Sequence, residues 1–207
     1  MHARSTTINA DPNRLDAGIA DVRDDVMPAV SDMDGYVGLS MLCDRGTGRC
    51  IVTTAWRSEE AMAATRDAVL RMREQAAEQF GAPPPEVREW KIAAMHRLHP
   101  AGDESRARVT WSRVDPASTD RVLDVFRTDL VPRMDEMPGF CSLSLLLDRQ
   151  TGDNSLTAVY ADRRSMEASR QRATYIRDEF RRGLHMSATD VAEFDLVLHH
   201  LRVPELV

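Results

Sequence analysis

The sequence predicts an α+β chain in which one β-α-β-β-α-β unit occurs twice, its two sheets packing together as an α/β barrel within the single chain. Three observations predict it. The chain repeats itself at a constant offset of 104 residues. Apolar residues switch between strand and helix spacing in the same order in each half. The strands are also apolar enough that neither sheet would leave its uncovered face in water, so the two faces should meet.

The offset is read from paired residues. Gly35 recurs as Gly139, Asp11-Pro12 as Asp115-Pro116, Leu39-Ser40 as Leu143-Ser144, and Asp44-Arg45-Gly46-Thr47-Gly48 as Asp148-Arg149-Gln150-Thr151-Gly152. Solenoid repeats run about 20 to 50 residues, so units of this length should each own a core. Residues 1–98 are read as the first repeat, 99–105 as a linker around Gly102, and 106–207 as the second repeat.

Each repeat opens with a strand, Ala3 to Ile8 and Ala107 to Ser112. Asp11-Pro12 and Asp115-Pro116 place an N-cap acceptor before a proline at the first helical position. Helical spacing follows at Leu15, Ile19, Val22, Val26 and Val30, and at Leu123, Phe126, Leu130 and Met134. Pro28 and Pro132 fall late in this helix and should kink or end it. After Gly35 and Gly139, strands run from Tyr36 to Cys43 and from Phe140 to Leu147. The Asp-Arg-x-Thr-Gly turn leads back into strands Arg49 to Trp56 and Asp153 to Tyr160. Ser58 and Asp162 cap a second helix, and a last strand follows, Val87 to Leu98 and Val191 to Arg202. The order is that of the ferredoxin-like arrangement, with two helices on one face of a four-stranded sheet.

Composition narrows the function. With 43% hydrophobic and 29% charged residues the chain has an ordinary globular profile, and its net charge of −6 lacks the basic face that nucleic acid requires. No apolar run approaches the roughly 20 residues of a membrane helix, and no signal peptide precedes the first strand, so the expected setting is cytoplasmic. Three cysteines make no disulfide framework. Cys43 and Cys50 flank the first hairpin turn, but their counterparts are Leu147 and Asn154, and thiols are the expected state. There is no clustered Cys/His spacing, glycine-rich phosphate loop or Gly-x-Ser-x-Gly elbow.

The turn Met137-Pro138-Gly139-Phe140, and the aromatic-ended strand before Ser58-Glu59-Glu60-Ala61-Met62, resemble the antibiotic biosynthesis monooxygenase type of dimeric α/β barrel. The likeness spans both repeats. It implies a small-molecule oxidoreductase, a cofactor-independent monooxygenase on a phenolic or quinol-type aromatic, working from a pocket between helices and sheet. The alternative it leaves open is a non-catalytic barrel that binds a small ligand, with haem among the ligands, or serves as an assembly module. The haem-degrading branch carries an asparagine, a tryptophan and a histidine at places that here hold Thr7, Thr65 and Glu74, and in the second repeat Trp111, Ser169 and Asp178. No cofactor is therefore expected; for haem, His185 is the one helical ligand on offer. A fused pair of units should act as a monomer with a pseudo-dimeric barrel, with a further homodimer left open.

Candidate site residues follow from strand parity. Trp90, Ile92, Ala94 and His96 share one face of the last strand, as do Phe194, Leu196, Leu198 and His200, so His96 and His200 are the expected general bases on the helix side. The competing reading for each is a strand-end histidine held by its surroundings. His99, His185 and His199 have no partner at the offset and are expected at the surface. Trp56, Trp90, Trp111, Tyr160 and Tyr175 are the aromatic candidates for substrate contact. The opposite parity is charged, with Glu89, Lys91, Glu193 and Asp195 on the last strands and Arg4 and Arg108 on the first. Lining a barrel interior, these would have to pair, because an isolated buried ion costs several kcal/mol.

Overall fold

The structure, a computed structural model, describes residues 1–206. Its strands are β1 (His2–Asn9), β2 (Tyr36–Cys43), β3 (Arg49–Trp56), β4 (Glu86–Arg97), β5 (Arg106–Arg113), β6 (Phe140–Leu147), β7 (Asp153–Tyr160) and β8 (Ser187–Leu201). The helices are α1 (residues 15–31), α2 (59–79), α3 (119–135) and α4 (163–184). The element order is β-α-β-β-α-β twice, as the sequence predicts.

The chain forms two compact units, Met1–Trp90 with Asp195–Val203, and Lys91–Phe194 with the residues from Pro204. In the first, β1 pairs β3, β3 pairs β2, and β2 pairs residues 195–201 of β8. In the second, β5 pairs β7, β7 pairs β6, and β6 pairs residues 91–97 of β4. The strand order runs β1-β3-β2-β8-β5-β7-β6-β4. A division at residues 98 and 106 would keep each last strand whole within its own repeat. Here β4 has 12 residues and β8 has 15, against 8 in each strand they pair, so each begins in one unit and completes the sheet of the other.

Both α1 and α3 contain a π turn, Val22–Val26 and Phe126–Leu130, just before Pro28 and Pro132. Proline lacks the N–H that would bond the carbonyl four residues back, and its ring would strike that carbonyl. The widened turn absorbs the clash, so each helix continues to Ser31 or Asp135 instead of ending. The second helix of each repeat is interrupted once, at Thr65 and Ser169. There the hydroxyl bonds back to the carbonyl of Met62 or Met166 at 2.8 Å. Ser58 and Asp162 cap these helices, accepting from the N–H groups of Ala61 at 3.1 Å and Ser165 at 2.7 Å. At the hairpin turns Gly48 and Gly152 both have φ of 76°, and a Cβ on either would overlap the carbonyl of Ala10 or Val114.

Each unit buries its own core between helices and sheet. Ile8, Leu15, Val22, Leu39, Met41 and Phe80 centre the first; Val122, Phe126, Leu143, Tyr160 and Ile176 centre the second. Among the described residues no helix is long and apolar enough to cross a membrane.

Candidate functional site

The second unit holds a cavity of about 110 Å³ between its helices and its sheet. Strand alternation supplies the floor: Arg108, Thr110 and Ser112 from β5, Leu143 and Leu145 from β6, and Asn154, Leu156, Ala158 and Tyr160 from β7. The roof is Val122, Phe126, Leu130 and Met134 of α3 with Ala173, Ile176, Phe180 and Leu184 of α4. A cavity of about 150 Å³ lined by apolar side chains accommodates benzene, so this smaller one could hold at most a single ring.

The first repeat handles the same space differently. Phe80 is fully buried and its ring lies directly on Gly18, where a Cβ would overlap it. At the offset those two positions are Leu184 and Val122, both of which line the cavity. Exchanging a large ring over glycine for two branched aliphatic side chains moves bulk from the middle of the core to its walls.

Polar groups meet this apolar space at a few points. Ser112 donates to Asn154 Oδ1 at 2.6 Å, and Asn154 Nδ2 donates to the Gly152 carbonyl at 3.3 Å. Tyr160 is fully buried; its hydroxyl lies 3.8 Å from Met137 Sδ and its ring 5.6 Å from the Arg108 guanidinium. Burial pushes the Tyr160 phenol above its ordinary range, so it stays protonated and available as a donor. Arg108 donates to Glu193 Oε1 from Nε at 3.0 Å and from Nη2 at 2.9 Å, and to the Met166 carbonyl at 3.0 Å. Arg177 and Arg181 of α4 also line the cavity, and the carboxylate near both is Asp178, at 3.4 Å and 4.0 Å.

Of the catalytic and substrate-contact candidates expected from the sequence, Tyr160 alone lines this cavity. Trp56 is buried in the first unit, its indole donating to Thr54 at 3.1 Å and its ring edge-on to Tyr36 at 6.0 Å. Trp90 donates to Ser5 at 2.8 Å, and Trp111 packs edge-on against Phe194 at 6.3 Å. Both alternate away from neighbours that face the helices, Glu89 and Arg108. Tyr175 is 62% exposed.

The parity expected for the last strands is broken by bulges. The β4 register shifts between Ile92 and Ala94, so Glu89 and His96 reach the helix side of their sheets while Trp90 points away. In β8 the shift falls where Met41 and Leu42 oppose Leu198 and Leu196. His96 is held at both ring nitrogens, Nδ1 to Glu205 at 2.6 Å and Nε2 to Asp135 at 2.8 Å, and stacks on Phe140 at 6.3 Å. His200 is exposed and stacks on His199 at 6.2 Å. Neither lines the cavity. His185, the helical candidate for haem, is the left-handed C-cap of α4 with φ of 52°.

The charged parity does pair, but beneath the helices: Arg4 with Glu89 in the first unit and Arg108 with Glu193 in the second. Asp195 lies 3.5 Å from Arg45, and Lys91 is exposed. Among the described residues no group of three or more His, Cys, Asp or Glu is placed to hold a metal ion. Haem does not fit the cavity, which is of single-ring size and has no histidine in its lining.

Ser112, Asn154, Arg177 and Arg181 escaped the sequence reading as site residues, although the offset marks several of them. Ser112 and Asn154 stand where the first repeat has the buried Ile8 and Cys50, and Arg181 where it has the buried Ala77. A polar residue replacing a buried apolar one between two copies of one fold was the available signal.

No family model matches the chain. Over 207 residues it is 43% identical to the uncharacterized protein Rv2557 of Mycobacterium tuberculosis, covering 100% of this chain and 92% of that one. It is 44% identical over 208 residues to Rv2558 of the same organism, covering 100% and 88%. Among solved structures it is similar to a candidate monooxygenase from Lactobacillus acidophilus, with TM-score 0.68, 12% identity, and coverage of 95% and 92%. An anthrone oxidase-like protein gives 0.67 at 15% identity, covering 96% and 92%. The haem-degrading enzyme LmHde of Listeria monocytogenes gives 0.53 at 7% identity, covering 94% and 99%. The structural neighbours are ferredoxin-fold proteins of the antibiotic biosynthesis monooxygenase type, and at these identities the likeness is one of fold.

Proposed function

The chain belongs to the family of the Mycobacterium tuberculosis proteins Rv2557 and Rv2558, and from the cavity in its second repeat we propose a small-molecule oxidoreductase, a cofactor-independent monooxygenase acting on a phenolic or quinol-type aromatic. The observation that carries this reading is the cavity: apolar walls, single-ring size, and polar groups confined to Tyr160, Ser112, Asn154, Thr110 and three arginines.

In such a reaction the ionised substrate itself reduces dioxygen, and the protein supplies desolvation, orientation and charge. Arg108 and Arg177 would favour the phenolate over the phenol, and Tyr160, held protonated, would donate to a substrate oxygen. His96 and His200 would then act outside the chemistry. Oxygen uptake with a panel of hydroquinones tests the proposal. Uptake that falls in Tyr160→Phe and Arg177→Gln supports it, and the absence of uptake with every hydroquinone contradicts it.

One observation favours a second reading, binding without turnover: the cavity lining contains no histidine, aspartate or glutamate that could take a proton. Saturable binding of hydroquinones with no oxygen consumed would select it.

A further inference from the structure

The charged residues that line the cavity are all arginine. Arg108, Arg177 and Arg181 face it, and no carboxylate does. Arg108 is satisfied by Glu193, which also accepts from Arg170 at 2.8 Å, so that glutamate is shared between two guanidinium groups. Arg177 and Arg181 share Asp178, at 3.4 Å and 4.0 Å, and side-chain exposures of 29% and 48% place both at the edge of the cavity. Positive charge therefore exceeds negative charge where apolar walls lower the local dielectric.

The first repeat carries the same imbalance. Glu89 takes Arg4 and Arg66, as Glu193 takes Arg108 and Arg170, and Arg73 stands where Arg177 does. Arg73 Nε is buried and donates to nothing, whereas Arg177 Nε reaches Asp178 at 3.4 Å. In the first repeat the buried Phe80 ring lies on Gly18; in the second, Leu184 and Val122 stand at those positions and line an open cavity.

The geometry points to a monocyclic aromatic carboxylate as the ligand of the second repeat, its ring among Phe126, Leu143, Ile176 and Phe180 and its carboxylate on Arg177 and Arg181. This rests on the reading of the cavity as an aromatic site and adds the acid. A planar guanidinium matches a carboxylate through two parallel hydrogen bonds, and a carboxylate is ionised at neutral pH where a free phenol is not.

The test is binding of 4-hydroxybenzoate and its uncharged counterpart 4-hydroxybenzamide to the full chain by calorimetry, in the native protein and in Arg177→Gln, Arg181→Gln and Arg73→Gln. The acid should bind the native chain more tightly than the amide. Arg177→Gln should weaken the acid about tenfold and leave the amide unchanged, while Arg73→Gln, the same charge change in the first repeat, should leave both unchanged. Equal affinity for acid and amide, or an undiminished acid affinity in Arg177→Gln, overturns the carboxylate assignment and leaves the aromatic site standing. Failure of both probes to bind overturns the aromatic site and the carboxylate together.

Discussion

Arg4 and Glu89 are joined by two hydrogen bonds to one oxygen, from Nε at 3.1 Å and from Nη2 at 2.8 Å, and 104 residues on Arg108 and Glu193 are joined in the same way. Each arginine also donates to a helix carbonyl, Met62 or Met166, so one buried guanidinium ties the first strand, the last strand and the second helix of its repeat together.

Removing the carboxylate strands a guanidinium that is 2% exposed. Glu89→Ala should therefore cost about 2 kcal/mol, below the full cost of breaking a buried pair because Glu89 is partly solvated. Urea denaturation checks it; an unchanged midpoint would show that the node contributes nothing. Hydrogen bonds from Arg66, then from Arg4, hold the Glu89 carboxyl below its usual range against the opposing effect of burial. A lowered folded pKa means this stability is present above the unfolded carboxylate pKa and is lost as pH falls through the folded one.

His96 gives the opposite slope. Burial opposes its charge, but hydrogen bonds to Asp135 and Glu205 outweigh burial and raise its pKa above the ordinary histidine value. Glu205 also accepts the N–H of Arg97 at 3.0 Å, so the ring fastens the C-terminal segment to β4. A raised folded pKa means the contribution is complete below the unfolded histidine pKa, about 6.5, and is lost as pH rises through the folded value. Denaturation midpoints measured across that range should fall with pH, and His96→Gln should flatten the fall. An equal slope in the variant would exclude His96 as its source.

The core exchange between the repeats is testable as a pair. Gly18→Val alone places a side chain in the Phe80 ring and should cost about 3 kcal/mol. Adding Phe80→Leu recreates the Val122–Leu184 combination and should recover much of that loss. Additive losses in a double-mutant cycle would mean that the two positions do not share one space.

Cys43 and Cys50 are directly opposed on β2 and β3, with sulfurs 2.6 Å apart and both side chains buried. Hydrogen peroxide should convert the pair to a disulfide, the two thiols giving up two hydrogens as peroxide becomes two waters. Alkylation after unfolding, read by mass spectrometry, should then label Cys141 alone. Labelling of all three cysteines after peroxide would contradict the pairing.

Much of the fold was legible because it is written twice. Caps at Asp11, Ser58 and Asp162, the hairpin turns and the inner strands are local signals, and each has a second copy to confirm it. That arginines would pair with carboxylates was legible from charges recurring at the offset, but their partners and their place beneath the helices were not. What the sequence concealed depends on distant partners. The last strands extend into the sheet of the other unit, and single-residue bulges near Ala94 and Leu198 set the side to which His96 and the leucines turn. The cavity was concealed for another reason: Gly18 with Phe80 and Val122 with Leu184 are both apolar pairs, and composition does not distinguish a filled core from an open one.

Methyl NMR of the full chain, titrated with a hydroquinone or a hydroxybenzoate, tests the central claim most directly. The ε-methyl of Met134 and the δ-methyl of Ile176, both on the cavity wall, should shift in a saturable way, while those of Met41 and Met62 in the first core should not. Shifts confined to the first repeat, or none at either wall residue, would contradict an aromatic site in the second.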